Sequence, residues 1–333
     1  MSFTLPANFS YSDPLPFTCN EDPSVKLSIL YYLIQASYLV LSAILNVLIL
    51  NTIFKSKNKE HYRNNSFYIL YTTEAVVNIY TSCVAVFFSR LFSDVTPLCP
   101  LVAPYFFTPS IITKAYYTIN HYMLAFKTLS QIAVSFNRMT CVILPVRHVH
   151  LWKRILWPMV IAQFVLPLGV IWNILLSRVY INPNGAGFSV NYKDAIPWAN
   201  ISFLHLFHCI PCVVLVTIFF IVTIYGLTIL EYRIKNVERY LTIFTLIMGI
   251  QTALFAFTQI YFAFFTAYLP GIRSFMLFSA FHIFDLLHVY SPIALIIMHR
   301  QLRNDIFGLK QENGNARFVS SSSHRVSAVQ VPS

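Results

Sequence analysis

Seven apolar runs constrain this chain more than any other feature. Each is long enough to cross a hydrocarbon core of about 30 Å, which takes about 20 mostly apolar residues at 1.5 Å per residue. They fall at 27–54, 66–89, 111–143, 155–177, 201–230, 240–268 and 274–298. None alternates polar and apolar residues in segments of about ten, so an outer-membrane barrel is not supported and helices remain as the way to satisfy backbone groups in lipid. Composition agrees. The chain is 57% hydrophobic and 11% charged, whereas a soluble domain is roughly 25% charged. Gly at 8 and Pro at 17 exclude collagen-like and low-complexity classes, and six cysteines in 333 residues make no disulfide scaffold. The first run, LSILYYLIQASYLVLSAILNVLIL, is too long for a signal-peptide core and follows Glu21 and Asp22 where a signal would carry basic residues. It is expected to stay in the mature protein.

The expected fold class is an all-α membrane protein, a seven-transmembrane helix bundle. Orientation follows from Lys and Arg, which favour the cytoplasmic side. One set of loops holds Lys55, Lys57, Lys59, Arg63, Arg138, Arg147, Lys153, Arg154, Arg233, Lys235, Arg239 and the tail residues Arg300, Arg303, Lys310, Arg317 and Arg325. The opposite set holds only Lys26, Arg90, Lys114, Arg178, Lys193 and Arg273. The amino terminus is therefore expected outside, and the net charge of +11 reads as juxtamembrane bias, not as a nucleic-acid footprint. The chain then divides into an extracellular segment 1–26, a bundle 27–298, a short interfacial helix 299–310 and a disordered cytoplasmic tail 311–333. Asn8 and Asn200 fit outer-side glycosylation sequons, and Cys19 and Cys99, both on the oxidising side, can form a bridge.

Ionisable groups inside spans are costly in lipid and call for partners. Three occur: Glu74, Lys127 and Asp285. Lys127 lies about 16 Å from the inner end of its helix, Glu74 about 12 to 15 Å and Asp285 about 20 Å. One buried cluster of the three is expected near mid-membrane, either pinning helix packing or switching its hydrogen bonds between two bundle states. Eleven residues separate Lys127 from Arg138, close to three helical turns, so both share one face of the third helix with Asn120. In the fifth run, HLFHCIPC puts His205, His208, Cys209 and Cys212 on one face. One helix offers too few ligands for an ion, so no metal or other cofactor is expected and these residues read as cavity lining. With Tyr117, Asn120, His121, Gln259 and His282, His205 is expected to line a mostly apolar pocket for a small amphipathic molecule. His-Glu-x-x-His, Gly-x-Ser-x-Gly and the glycine-rich nucleotide loops are absent, so no enzyme is expected.

The third run ends SFNRMTCVILPVRHVHLWKR and the seventh YSPIALIIMHRQLRNDIF. Together these resemble the nematode serpentine receptors, closest to serpentine receptor class gamma, over roughly 27–310. Asn137, Arg138 and Met139 resemble that family's form of the receptor acidic-Arg-aromatic triplet, Ser291-Pro292 stands where rhodopsin-like receptors have Asn-Pro, and Asn46 resembles their first-helix Asn. The resemblance implies a chemosensory G-protein-coupled receptor in a sensory-neuron plasma membrane. It would read a small environmental or pheromone molecule and signal to a heterotrimeric G protein through Asn137, Arg138 and Met139. Two departures stand out. Asn137 cannot ion-pair with Arg138, and the outer loop 178–200 contains no Cys to tie it to the third helix. The competing readings are a ligand-gated channel subunit and a small-molecule transporter. No nucleic-acid partner is expected, and the oligomeric state is open.

Overall fold

The computed structural model describes residues 24–55, 59–95, 98–102, 105, 110–184, 187–229 and 235–309. Asn8, Cys19 and the tail from 310 lie outside the described residues, as do the expectations that fall on them. Seven long helices form a bundle: α1 (Val25–Lys55), α2 (Ser66–Asp94), α3 (Ile111–Ile143), α4 (His148–Leu176), α5 (Ile201–Ile229), α6 (Lys235–Ile260) and α7 (Arg273–Met298). A short α8 (Arg300–Phe307) follows. Six of the long helices are apolar enough to cross a membrane. The exception is α3, long enough at 33 residues but carrying the polar stripe of Lys127, Gln131, Asn137 and Arg138. It sits centrally, packed on α2, α4, α5 and α6.

Helix α1 shows why such a chain folds inward on its polar groups. Gln35, Leu39, Ser42, Asn46, Ile49 and Ile53 are buried, spaced by three and four residues, and form a single stripe. Leu30, Leu33, Val40, Leu41, Ile44 and Val47 are exposed on the other side. A soluble helix would do the reverse, because its solvent is water. Side-chain caps start several helices: Asn65 accepts from the Phe67 amide at 3.0 Å, Ser110 from Ile112 at 3.2 Å and Asn200 from Phe203 at 2.8 Å. Helix α8 stops at Gly308, whose φ of 64° suits glycine.

Two helix ends differ from the sequence expectation. Helix α4 begins at His148, not near 155, because the indole of Trp152 is buried and donates to Thr140 Oγ1 at 2.9 Å, while Lys153 and Arg154 are carried on the exposed face. Helix α2 runs to Asp94 through a π-helical segment at Ala85–Arg90. The wider turn rotates Arg90 inward, so this residue is 4% exposed and not in an outer loop.

The cysteine-free segment after α4 folds as an antiparallel hairpin, β1 (Arg178–Asn184) with β2 (Gly187–Lys193), pairing Ile181 with Val190. Alternation of Val179 and Ile181 on one strand and Phe188, Val190 and Tyr192 on the other supplies the inward faces. The hairpin is tied down without a covalent bond to α3. Phe188 stacks on Phe92 at 5.2 Å, Tyr117 of α3 contacts Tyr192 at 5.5 Å, and the Tyr192 hydroxyl accepts from the Ile201 amide at 2.6 Å. Gly187 lies so close that an added Cβ would stand 1.9 Å from the Phe92 carbonyl oxygen, which excludes any larger residue without backbone movement. Burial raises the pKa of the Asp194 carboxyl just beyond β2. The hairpin marks one end of the bundle and α8 the other.

Candidate functional site

At mid-bundle the Lys127 ammonium, fully buried, donates to Glu74 Oε1 and to Asn78 Oδ1, the latter at 3.0 Å. Ser291 of α7 donates to Glu74 Oε1 at 2.7 Å and Ser130 of α3 to Glu74 Oε2 at 3.1 Å. The carboxylate thus receives an ammonium and two hydroxyls from two other helices. Such satisfaction is what makes a charge tolerable in a low-dielectric interior. Asn46 joins through Tyr71, whose hydroxyl donates to Asn46 Oδ1 at 3.2 Å, while Asn46 Nδ2 donates to the Ser42 carbonyl at 2.9 Å. A cavity of about 10 Å³, room for one water, adjoins Glu74 and is lined by Gln131 and Ser135 of α3 and Thr245 and Met248 of α6.

Asp285 does not belong to this cluster. Its Oδ2 takes the Arg90 guanidinium at 2.8 Å and the Tyr38 hydroxyl at 2.7 Å, and no hydrogen bond or ion pair joins it to Glu74 or Lys127 among the described residues. The correction follows from the π-helical turn, which delivers a nearer cation. Sequence reasoning missed Arg90 because it follows an apolar run at its apparent end. The apolar Leu91-Phe92 beyond it was the available signal.

The six residues expected to share one pocket separate into two groups. On α3 and α5, His121 Nδ1 and His205 Nε2 are hydrogen-bonded at 2.9 Å, Tyr117 packs edge-on to His121 at 4.5 Å, and Phe255 of α6 meets His205 edge-on at 6.0 Å. Asn120 is half-buried one residue before His121, and Gln259 is buried one turn beyond Phe255. His282 instead contacts the Tyr31 hydroxyl at 2.9 Å between α1 and α7. The single-pocket expectation is therefore corrected, since α7 turns His282 toward α1. An apolar cavity of about 10 Å³ lies nearer the hairpin, lined by Phe88, Phe92, Ile112, Thr113, Tyr116 and Phe188 among others. The remaining residues of HLFHCIPC disperse: His208 Nε2 meets Thr128 Oγ1 at 2.8 Å, and Cys209 packs with Leu124, Phe255 and Leu287.

Cys99 is disulfide-bonded, whereas Cys83, Cys141, Cys209 and Cys212 form no disulfide. The Asn200 side chain is engaged in capping α5.

At the α8 end, Arg138 lies over the Phe67 ring, 3.9 Å from its centroid. Asn137 Nδ2 donates to Ser66 Oγ at 2.7 Å, so the residue that cannot ion-pair clamps α3 to the first turn of α2, and Met139 is half-buried beside them. Below lies a clasp on α8. The Tyr62 hydroxyl donates to Asp305 Oδ2 at 2.5 Å, and His299 Nε2 meets the Tyr68 hydroxyl at 2.8 Å. His299 Nδ1 accepts from the Leu302 amide at 3.2 Å, which puts the ring proton on Nε2 as donor to Tyr68. Burial first, then the nearby Arg138 charge, lowers the His299 pKa from its usual 6.5 to about 4. An undocked His299 thus takes up a proton between pH 6.5 and about 4 that the docked ring does not, so docking weakens as pH falls through that window. Amide protection factors over Arg300–Phe307 are expected to drop on acidification from pH 7 to 5. His299→Gln should remove that dependence, and an unchanged profile in the wild type would contradict the assignment.

The same chain of residues has counterparts. The model of the Srg family chemoreceptors matches residues 32–306. Serpentine receptor class gamma-20 of Caenorhabditis elegans is 63% identical over 315 residues, covering 95% of this chain and 91% of the relative. Serpentine receptor class gamma-10 of the same organism is 62% identical over 307 residues, 92% and 94%, and serpentine receptor class gamma-13 is 44% identical over 301 residues, 90% and 89%. With a bundle of membrane-length apolar helices and matches over nearly its whole length, the chain belongs to the Srg family of chemoreceptors.

Proposed function

We infer that the chain crosses the membrane seven times, with α3 crossing alongside the six more apolar helices and the hairpin end outside, and that it binds a small molecule there and signals to a heterotrimeric G protein at the α8 end. The observation that carries this reading is the polar cluster inside the bundle. Ser130 and Lys127 of α3, Glu74 of α2 and Ser291 of α7 hold one another between the His121–His205 pair and Arg138. A ligand that moves α3 or α7 changes the hydrogen bonds by which both helices hold α2, and a two-state switch requires such a contact. A cavity the size of one water lies between Glu74 and α6, so that contact is not fully packed. Exposed Arg63, Lys153 and Arg154 near the α8 end support an inward orientation for it.

On this topology Asn8 and Asn200 are glycosylated. Cys99 pairs with Cys19, the one cysteine left once the four others are set aside. Residues 1–26 lie outside the cell and the tail 311–333 inside, and the protein works at the plasma membrane of sensory neurons. Cells expressing the chain with and without a promiscuous G protein, challenged with volatile and pheromone-like small molecules, test the reading. A second-messenger response that requires the G protein is expected. A ligand-evoked current or uptake that persists without it would replace the receptor by a channel or transporter.

A further inference from the structure

Between α1, α2 and α7, away from the His121–His205 pair, lies a buried corner whose charges are only half used. Arg90 and Asp285 are 4% and 2% exposed, yet they are joined by one hydrogen bond, from Nη2 to Oδ2. A carboxylate and a guanidinium usually meet through two parallel bonds. Here Arg90 Nε and Asp285 Oδ1 are buried with no partner, and so is Gln35 Oε1 on the facing stripe of α1, with Gln35 2% exposed. Buried polar atoms without partners are rare and need an explanation, because each forfeits its hydration. The cation is held in place on its other sides: Phe281 lies 4.6 Å beneath the guanidinium, the Phe281 carbonyl accepts from Nη2 at 3.2 Å, and Tyr38 fixes Asp285 Oδ2. The corner is built to hold the two charges with one donor and two acceptors turned free.

The geometry points to a binding site for a small zwitterion of the amino-acid type, its carboxylate on Arg90 Nε and its ammonium on Asp285 Oδ1 and Gln35 Oε1. A lone anion would meet Arg90 but be repelled by Asp285 and by Asp94, one turn further along α2. A lone cation would meet Asp285 and Asp94 but be repelled by Arg90 and leave its Nε without a partner. A zwitterion opposes Arg90 and Asp285 each with its opposite and completes a ring of four alternating charges, which lowers the Coulomb energy of both. The corner is closed in this structure, so entry requires α1 or α7 to move aside. The proposal deepens the receptor reading, on which it rests for its physiological meaning, by naming the ligand class and the helices that take it.

Binding can be read without any G protein. Purified full-length chain in lipid nanodiscs is titrated with the proteinogenic amino acids, with methylamine and acetate as single-charge controls, and thermal unfolding is followed. At least one amino acid is expected to raise the unfolding temperature while neither control does. The shift should be lost in the charge-neutral pair Arg90→Gln/Asp285→Asn, which keeps a hydrogen bond across the corner. Gln35→Leu, which removes one acceptor for the ammonium and leaves the ion pair in place, should reduce the shift and provides a second variant should the neutral pair not fold; an undiminished shift there would also overturn the proposal. An equal shift from acetate or methylamine, or a shift that survives in the neutral pair, overturns the proposal. So does the absence of any shift, even if the cells described above respond to another compound, which would leave the receptor reading intact. Binding with no G-protein response would uphold the site and remove that reading.

Discussion

Lys127→Leu is expected to destabilise the folded chain by about 3–5 kcal/mol, the usual cost of removing one partner of a buried ion pair. The Glu74 carboxylate would keep only the hydroxyls of Ser130 and Ser291, and Asn78 Oδ1 would lose its donor. Little of the molecule can relax to repair this, since Glu74, Asn78, Ser130 and Ser291 are all buried. Surface expression should fall several-fold, and the purified chain should unfold at a lower temperature when followed by a dye that reacts with the buried thiols of Cys209 and Cys212. Glu74→Gln combined with Lys127→Leu should recover much of the loss, because the uncompensated charge is then gone. A single variant as stable as the wild type would mean that the pair adds nothing and that Glu74 is satisfied by hydroxyls alone. A double variant that is stable yet silent to ligand would assign the pair to switching.

The second large effect is expected at Arg138. Its guanidinium is stacked on Phe67, and such a contact is worth about 0.5–2 kcal/mol, so Arg138→Ala should fold and reach the surface. Signalling should nonetheless fall by at least about ten-fold at equal surface level, the order expected for losing one buried charged contact with a partner protein. Arg138→Lys should rescue poorly, since an ammonium lacks the planar face that stacks on the ring. An unimpaired second-messenger response in Arg138→Ala would remove this arginine from coupling. Asn137→Ala is the informative companion, because it frees α3 from Ser66 without touching the charge.

Much of the fold was legible before any coordinates, because a lipid solvent imposes a coarse rule on sequence: helices must be about 20 apolar residues long and close their own hydrogen bonds. Hence the helix positions and the buried partnership of Glu74 with Lys127 could be read from spacing and depth, while Asn46 was marked only by the resemblance. The triplet Asn137, Arg138 and Met139 sits at the end of α3 where the resemblance implied, but the clamp from Asn137 to Ser66 was not implied by it. The hairpin was not legible in 178–200, because two seven-residue strands carry too short an alternation to stand out and no cysteine ties them to α3. In its place came aromatic stacking and the close seat of Gly187 on Phe92.

What periodicity could not settle was which way each polar group turns once seven helices share a core. Depth placed Asp285 beside Glu74 and Lys127, but depth is one coordinate, and rotation about the helix axis decides the partner. A single π-helical turn in α2 shifted Arg90 from a loop to the interior and captured Asp285. His282 turned toward Tyr31 for the same kind of reason, leaving His121 to pair with His205. Sequence alone determined the solvent, the helices and the residues whose charges must be buried. Only the tertiary structure decided who neutralises whom, because that depends on azimuth and on local departures from 3.6 residues per turn.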